Sequence, residues 1–86
     1  MVKTLEKLGF HKCDKVEGLE QEVRYFKDDE SRLLAGTLIT INTKTWKINI
    51  YDIIENGEYL TPTSISKELL EAVIQKYDEL HETILN

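Results

Sequence analysis

The residues best suited to bind a metal ion are His11 and Cys13, which lie two positions apart. Side chains two apart on a strand point to the same side of the sheet, so this pair could face one ion. Zinc needs three or four such ligands, and the only other histidine or cysteine is His81, far away in the sequence. We therefore interpret the pair as incidental and expect no metal site.

Asp28, Asp29 and Glu30 form a run of carboxylates whose oxygens would suit a hard cation. Consecutive turn residues rarely converge on one ion without further oxygen ligands, so we interpret the run as a solvated turn. The serines lack the G-x-S-x-G context of an activated nucleophile, and no glycine-rich phosphate loop is present. The sequence therefore predicts a protein that is not an enzyme and that has no cofactor.

Negative charge is concentrated in the second half of the chain. Residues 1–50 contain nine basic and eight acidic residues, whereas residues 51–86 contain two basic and eight acidic ones. The acids of the last segment that we consider for partner binding are Glu68, Glu71, Asp78, Glu79 and Glu82. These acids give the last segment an acidic outer face, which repels phosphate backbones and attracts basic protein surfaces. One specific hypothesis is that it imitates the phosphates of DNA and inhibits a host nuclease; the simpler interpretation is a solvated face.

Binding of single-stranded nucleic acid by the outer face of the sheet is the alternative function that we consider. Basic residues alternate with aromatic ones in the middle of the chain, as on a surface that neutralises phosphates and stacks bases. The residues that would do so are Arg24, Lys47, Tyr25 and Tyr51. However, the chain carries a net charge of −5, whereas nucleic-acid modules usually have a basic footprint. We therefore expect nucleic acid not to be the partner.

The positions of these side chains depend on the segment from Ser66 to Leu85, which has the most regular hydrophobic pattern of the chain. Its apolar residues recur at alternating steps of three and four, as on one face of a helix. They are Leu70, Val73, Tyr77, Leu80 and Ile84, with Leu69, Ile74 and Leu85 beside them. Ser66 is the predicted N-cap, with Ser64 as the alternative. The sequence thus predicts an amphipathic helix whose apolar face is buried.

Alternation of apolar and polar residues predicts the strands. They cover residues 22–27, 33–41, 46–50, 51–54 and 59–61, with a looser edge strand within 10–16. The predicted inner face of the sheet consists of Ile39, Ile41, Trp46, Ile48 and Ile50. The pair Asn56-Gly57 predicts a hairpin with a type I′ turn, which needs a positive φ at both residues.

The predicted fold class is α+β, with one domain covering residues 1–86. An antiparallel β-meander of three to five strands is packed by the long C-terminal helix. A short N-terminal helix is predicted over Val2 to Leu8, with Gly9 as the residue that ends it.

The single cysteine, Cys13, excludes an intramolecular disulfide and fits a reducing compartment. The first seven residues contain no apolar core of a secretory signal, and no apolar run is long enough to span a bilayer. We therefore expect a cytoplasmic protein without membrane partners.

Four short motifs resemble a known group of proteins. They are the segments Leu5–Phe10, Arg24–Lys27, Glu58–Thr61 and Lys67–Val73. The chain is similar to small uncharacterised phage and prophage proteins of Gram-positive bacteria, which begin with an E-K-L-G-F element and end in an amphipathic helix. It departs from them between Leu33 and Ile54, which is longer and more regular. The resemblance implies an accessory role in a mobile element and provides no active-site residues.

Protein–protein interaction is the function that the sequence favours. One helix covers only one face of a sheet, so aromatic residues must remain on the other face. Either Tyr25 or Phe26, and either Tyr51 or Tyr59, are expected there. We take Tyr25 and Tyr51 as candidate partner-binding residues, for a host or phage protein or for a second copy in a homodimer.

Overall fold

Each strand pairs with the next strand of the chain in the computed structural model, which describes residues 3–85. The strands are β1 (His11–Lys12), β2 (Glu22–Asp28), β3 (Gly36–Asn42), β4 (Ile48–Ile53) and β5 (Tyr59–Leu60), followed by helix α1 (Lys67–Leu85). All four ladders are antiparallel and the sheet order is β1-β2-β3-β4-β5. The predicted α+β meander with a C-terminal helix is therefore confirmed, with five strands.

The two faces of the sheet follow from the register of β3 with its neighbours. Ile39 is paired with Tyr25 of β2 and with Ile50 of β4, and paired residues point to the same face. Two positions further, Val23, Ile41 and Ile48 form the next row of this face. We call it the inner face because α1 packs on it; the opposite, outer face carries the rows Arg24–Thr40–Asn49 and Phe26–Leu38–Tyr51.

The core lies between the inner face and α1. Ile39 and Ile41 are fully buried, and Val73 of the helix is 1% exposed. The side chains of Leu69, Tyr77 and Leu80 pack against this cluster, as do Ile48 and Ile50. The predicted N-cap is confirmed, because the Ser66 hydroxyl oxygen accepts a hydrogen bond from the backbone N–H of Leu69 at 3.1 Å.

The apolar stripe of α1 is wider than the surface that buries it. Leu70, Ile74 and Ile84, all assigned to the buried stripe by the sequence, are 46%, 48% and 50% exposed. The buried side of the helix instead includes Ala72 and Lys76. The helix is therefore rotated away from the orientation that the apolar pattern predicts.

The predicted N-terminal helix is not confirmed. Residues 5–9 form consecutive hydrogen-bonded turns, in which the N–H of Gly9 donates to Glu6 and that of Phe10 donates to Leu5. Gly9 has a φ of 97°, so it reverses the chain there. Val2 lies outside the described residues. Leu5 is fully buried, so this segment docks on the core as a turn, because one helical turn gains too few hydrogen bonds to persist.

Trp46 was predicted to begin a strand, but it lies in the connection between β3 and β4. This residue has a φ of 61° and lies before β4, which begins at Ile48. Asn42 closes the turn, because its side-chain oxygen accepts from the N–H groups of Lys44 at 2.8 Å and Thr45 at 2.9 Å. Trp46 still reaches the core, packing edge-to-face against Tyr77 with ring centroids 5.4 Å apart.

The β4–β5 hairpin forms as predicted, but the predicted type I′ turn is wrong. Gly57 has a φ of 86°, whereas Asn56 is not among the described residues with a positive φ. The N–H of Gly57 donates to Ile54 at 2.8 Å, and the N–H of Ile54 donates to Glu58 at 3.1 Å. This pattern is a longer loop in which a tight turn is followed by one left-handed glycine.

Candidate protein-interaction surface

The β2–β3 loop presents two adjacent leucines to solvent. Leu33 is 82% exposed and Leu34 is 75% exposed, the highest values among the exposed large apolar side chains of the described residues. Leu34 also has a φ of 59°, a left-handed conformation that costs a non-glycine residue about 1 kcal/mol or more. We call these two residues the leucine tip. The sequence assigned them to the start of β3, which begins only at Gly36.

A network around Asp29 holds the loop that carries the leucine tip. The Asp29 carboxylate accepts hydrogen bonds from the N–H of Ser31 at 2.9 Å, from its hydroxyl at 2.7 Å, and from the Arg32 Nε at 2.9 Å. These bonds, from Ser31 first and then from Arg32, lower the pKa of Asp29 to about 2. The N–H of Asp29 also donates to Ala35 at 2.9 Å, and Ala35 is buried. The loop is thus fixed at both ends, and the run of acids is a structured turn.

The outer face of the sheet carries a cluster of apolar side chains near the end at which the β2–β3 loop lies. We call Phe26, Tyr51, Ile53 and Tyr59 the outer patch, since their register places them on this face. Tyr59 is 53% exposed, and its ring contacts that of Tyr51 with centroids 5.5 Å apart. The sequence predicted Tyr51 as a partner-binding residue, and its half-buried side chain belongs to this patch.

The leucine tip and the outer patch lie at one end of the molecule. Arg32, from the loop of the leucine tip, lines a shallow depression together with Ile54, Glu55 and Asn56 of the β4–β5 turn. This turn leads directly into Tyr59. The two loops and the aromatic residues beside them therefore form one continuous end of the sheet.

Opposite charges on the outer face nearly balance. Its charged side chains are Glu22, Arg24 and Asp28 of β2 and, directly before β4, Lys47. The Arg24 side chain is only 21% exposed, and its Nε lies 4.0 Å from the Glu22 carboxylate. The N–H of Cys13 donates to the Arg24 carbonyl at 2.8 Å, and burial raises the pKa of the Cys13 thiol. The face thus has no basic footprint that would neutralise a phosphate chain.

The structure places Tyr25, the other predicted aromatic contact, on the inner face. Its side chain is 5% exposed, and the Lys76 ammonium lies 5.3 Å from its ring centre. The alternation of Val23 and Tyr25 with Arg24 and Phe26 is the signal that separates the two faces. It identifies Phe26 as the outer residue, one of the two alternatives that the sequence left open.

Lys76 is a buried cation that sequence reasoning did not single out. Its ammonium pairs with the Glu6 carboxylate at 3.2 Å and with Glu79 at 3.5 Å. Burial lowers the pKa of Lys76, but the hydrogen bonds and charges of Glu6 and Tyr25 outweigh it, so the pKa is raised. The pair fastens the N-terminal turn to α1.

Three of the five candidate acids of α1 are engaged with lysines. Glu68 pairs with Lys3 at 3.6 Å and Glu71 with Lys67 at 3.8 Å, while Glu79 contacts Lys76 as described above. Asp78 and Glu82 are exposed. The acids lie along the exposed side of the helix, where local pairing reduces the charge available to a partner.

His11 and Cys13 do not become a metal site in the part of the chain that the structure describes, where no group of three or more His, Cys, Asp or Glu side chains could hold an ion. His11 is exposed on β1, and its ring lies 6.1 Å from that of Phe26. Within residues 3–85, no helix is long and apolar enough to cross a membrane.

Comparison of the chain with protein-family models, curated proteins and solved structures finds no match.

Proposed function

We propose that this chain is a non-enzymatic accessory protein, of the phage or prophage type that its motifs resemble, and that it acts by binding another protein. The observation that carries the proposal is the leucine tip. A single exposed leucine is ordinary, but two neighbouring ones at 82% and 75% exposure form contiguous exposed apolar surface, which is typical of protein interaction sites.

Burial of the leucine tip would supply a useful share of binding energy. Full burial of one leucine side chain is worth about 1.5–3 kcal/mol, so the two together provide up to about 6 kcal/mol before the costs of association. The Asp29 network reduces these costs, because the loop is ordered before the partner arrives. The unfavourable φ of Leu34 also supports a functional reason for this conformation.

The outer patch extends the surface beyond the leucine tip. Half-exposed tyrosines contribute apolar area and a hydrogen-bonding hydroxyl, which is why they are enriched where proteins meet. The balanced charges around Arg24 favour a protein partner over a nucleic acid. Since lysines already pair with three of its acids, we assign the acidic face of α1 a secondary role and place the main contact at the leucine tip.

The experiment is affinity capture from a lysate of a Gram-positive bacterium, using the tagged chain as bait. We expect one protein to bind the unmodified bait and to be lost with the double variant Leu33→Ser, Leu34→Ser. The matched control is Ile84→Ser, which removes an exposed apolar side chain from α1 instead. All baits should melt within a few degrees of each other, because the changed side chains are exposed.

Two results would argue against this proposal. Capture of the same protein by the double variant would remove the leucine tip from the binding surface. Recovery of nucleic acid in place of protein, lost on raising the salt concentration, would favour the alternative function.

A further inference from the structure

One edge of the sheet is open along most of β4. The β4–β5 ladder consists of two pairs, Asp52 with Leu60 and Ile53 with Tyr59. Over the residues that the structure describes, the segment from Ile48 to Tyr51 pairs with β3 and has no ladder partner on its other side. A strand edge of this kind presents free backbone groups to an added strand.

The direction of the backbone groups shows which of them are free. The Lys47 carbonyl accepts a hydrogen bond from the N–H of Asn42 at the end of β3, whereas the N–H of Ile54 donates to Glu58 on the β5 side. Backbone groups alternate in direction along a strand, so Ile48 and Ile50 direct their N–H and C=O groups away from β3. The open segment therefore offers two donors and two acceptors.

Apolar side chains lie along this edge on the inner face of the sheet. Ile48 and Ile50 are half-buried there, although they pack against the core. On α1, Leu70 and Ile74 leave 46% and 48% of their surface exposed. The other flank of the helix is covered by the N-terminal turn through the contact of Lys76 with Glu6. The flank of α1 with Lys76 is thus covered, whereas Leu70 and Ile74 remain exposed.

This edge also has few of the features that protect natural sheet edges. Protective features are charged side chains, prolines, bulges and very short strands. The opposite edge, β1, is two residues long and contains Lys12. In contrast, the segment from Trp46 to Tyr51 contains one charged residue, Lys47, and no acid, although the chain has a net charge of −5. Two copies can therefore approach here with the least repulsion.

We propose that a second copy of this chain pairs with β4 through this edge, forming a symmetric dimer with one continuous sheet. Residues that exchange hydrogen bonds across the joint must have backbone groups directed away from β3, and a two-fold axis makes the pairing reciprocal. Ile48 of each copy therefore lies opposite Ile50 of the other copy. Asn49 then lies on the two-fold axis, opposite Asn49 of the second copy on the outer face. Four backbone hydrogen bonds form, and Lys47 faces Tyr51 of the second copy.

This dimer leaves the leucine tip free and shares only Tyr51 with the outer patch. The two-fold axis is perpendicular to the sheet, so both helices lie on the same side. The leucine tip belongs to the β2–β3 loop, away from the open segment of β4. Each dimer would thus present two copies of the leucine tip.

The test uses opposite charges at the symmetry axis. Asn49→Lys and Asn49→Asp each place like charges opposite one another, and we expect each homodimer to dissociate about fivefold more readily than the unmodified one in sedimentation equilibrium. An equimolar mixture of the two variants should form a heterodimer, because the charges then attract. The matched control is His11→Lys and His11→Asp, on the exposed opposite edge, which should leave the dimer unchanged. Circular dichroism checks that each variant is folded.

A cysteine at the same position tests the register independently. Residues that face each other without exchanging hydrogen bonds have Cα atoms about 4.5 Å apart, close enough for a disulfide. In a Cys13→Ser background, Asn49→Cys should therefore form a covalent dimer on mild oxidation, whereas His11→Cys should not. The proposal is overturned if the unmodified chain is monomeric at its highest soluble concentration. It is equally overturned if the lysine and aspartate variants at position 49 dimerise as well alone as when mixed.

Discussion

Gly36 occupies a position where the paired strand and an aromatic ring leave no room for a side chain. A Cβ atom added to this residue would lie 2.5 Å from the Phe26 Cζ atom and closer still to the carbonyl oxygen of Lys27. Cβ atoms essentially never approach heavy atoms within 3.0 Å, so one of these neighbours must move. The Phe26 ring can rotate toward solvent, but Lys27 is held in the β2–β3 ladder. We therefore predict that Gly36→Ala forces β2 and β3 apart.

The expected size of the effect follows from two opposing contributions. Overpacking of this kind costs about 1–3 kcal/mol, while an alanine in place of glycine restricts the unfolded chain and gains about 0.4–1 kcal/mol. Because the nearest atom is a backbone oxygen, the upper end of the overpacking cost applies, and about 3 kcal/mol less the gain from alanine leaves a net loss of unfolding free energy of about 2 kcal/mol. For a chain of 86 residues this corresponds to a decrease in melting temperature of about 8–16 °C.

Thermal unfolding followed by circular dichroism measures this decrease, with Gly57→Ala as the comparison. Gly57 has a φ of 86° and no atom within 4 Å of an added Cβ, so only the backbone conformation opposes the change. That variant should lose about 1 kcal/mol. In a Phe26→Leu background, most of the cost of Gly36→Ala should remain, because the contact with the Lys27 carbonyl is the shorter one. A Gly36→Ala protein that melts at or above the temperature of the unmodified chain would refute the reasoning.

Two predictions concern carboxylates. The carboxyl group of Asp29 should titrate near pH 2 in NMR spectra, and Asp29→Ala should accelerate hydrogen exchange at the Ser31 amide; a midpoint near pH 4 would show that the network is absent in solution. The second prediction concerns Glu6, whose pKa is lowered by a backbone hydrogen bond and by Lys76, against the opposing effect of burial. The stabilisation by the Glu6 carboxylate is therefore present above its unfolded pKa and is lost on acidification. Glu6→Gln should thus lower the unfolding free energy in urea by about 0.5 kcal/mol at pH 7 and have no effect at about pH 3, whereas an equal loss at both values would contradict the role of the Glu6–Lys76 pair.

The sequence predicts the elements whose patterns are long and regular. The alternation through Ile39, Ile41, Ile48 and Ile50 identifies the inner face, and Ser66 identifies the start of the helix. These predictions succeed because the period of the apolar residues reports directly which side of an element is buried. The rotation of α1 was not predictable, because the helix has more apolar residues than the sheet can bury. Its orientation depends on the contact of Lys76 with Glu6 of the N-terminal turn.

The candidate site was harder to predict because it depends on where irregular segments end. Leu33 and Leu34 are as apolar as residues of β3, and nothing in their types shows that the Asp29 network delays the strand until Gly36. Trp46 aligned with the strand pattern but adopts a left-handed conformation fixed by Asn42. In both cases hydrogen bonds from turn side chains override the alternation. Of the predicted contacts, Tyr51 lies on the outer face and Tyr25 does not.

The contact between Glu6 and Lys76 joins residues that are 70 positions apart. The sheet is built from hairpins between neighbouring segments, which close quickly because their loops are short. The turn at residues 5–9, in contrast, completes its contacts only when α1 is present. During synthesis on the ribosome, Glu6 is therefore made 70 residues before the lysine with which it pairs. The contact of this turn with the helix would then be the last long-range contact to form.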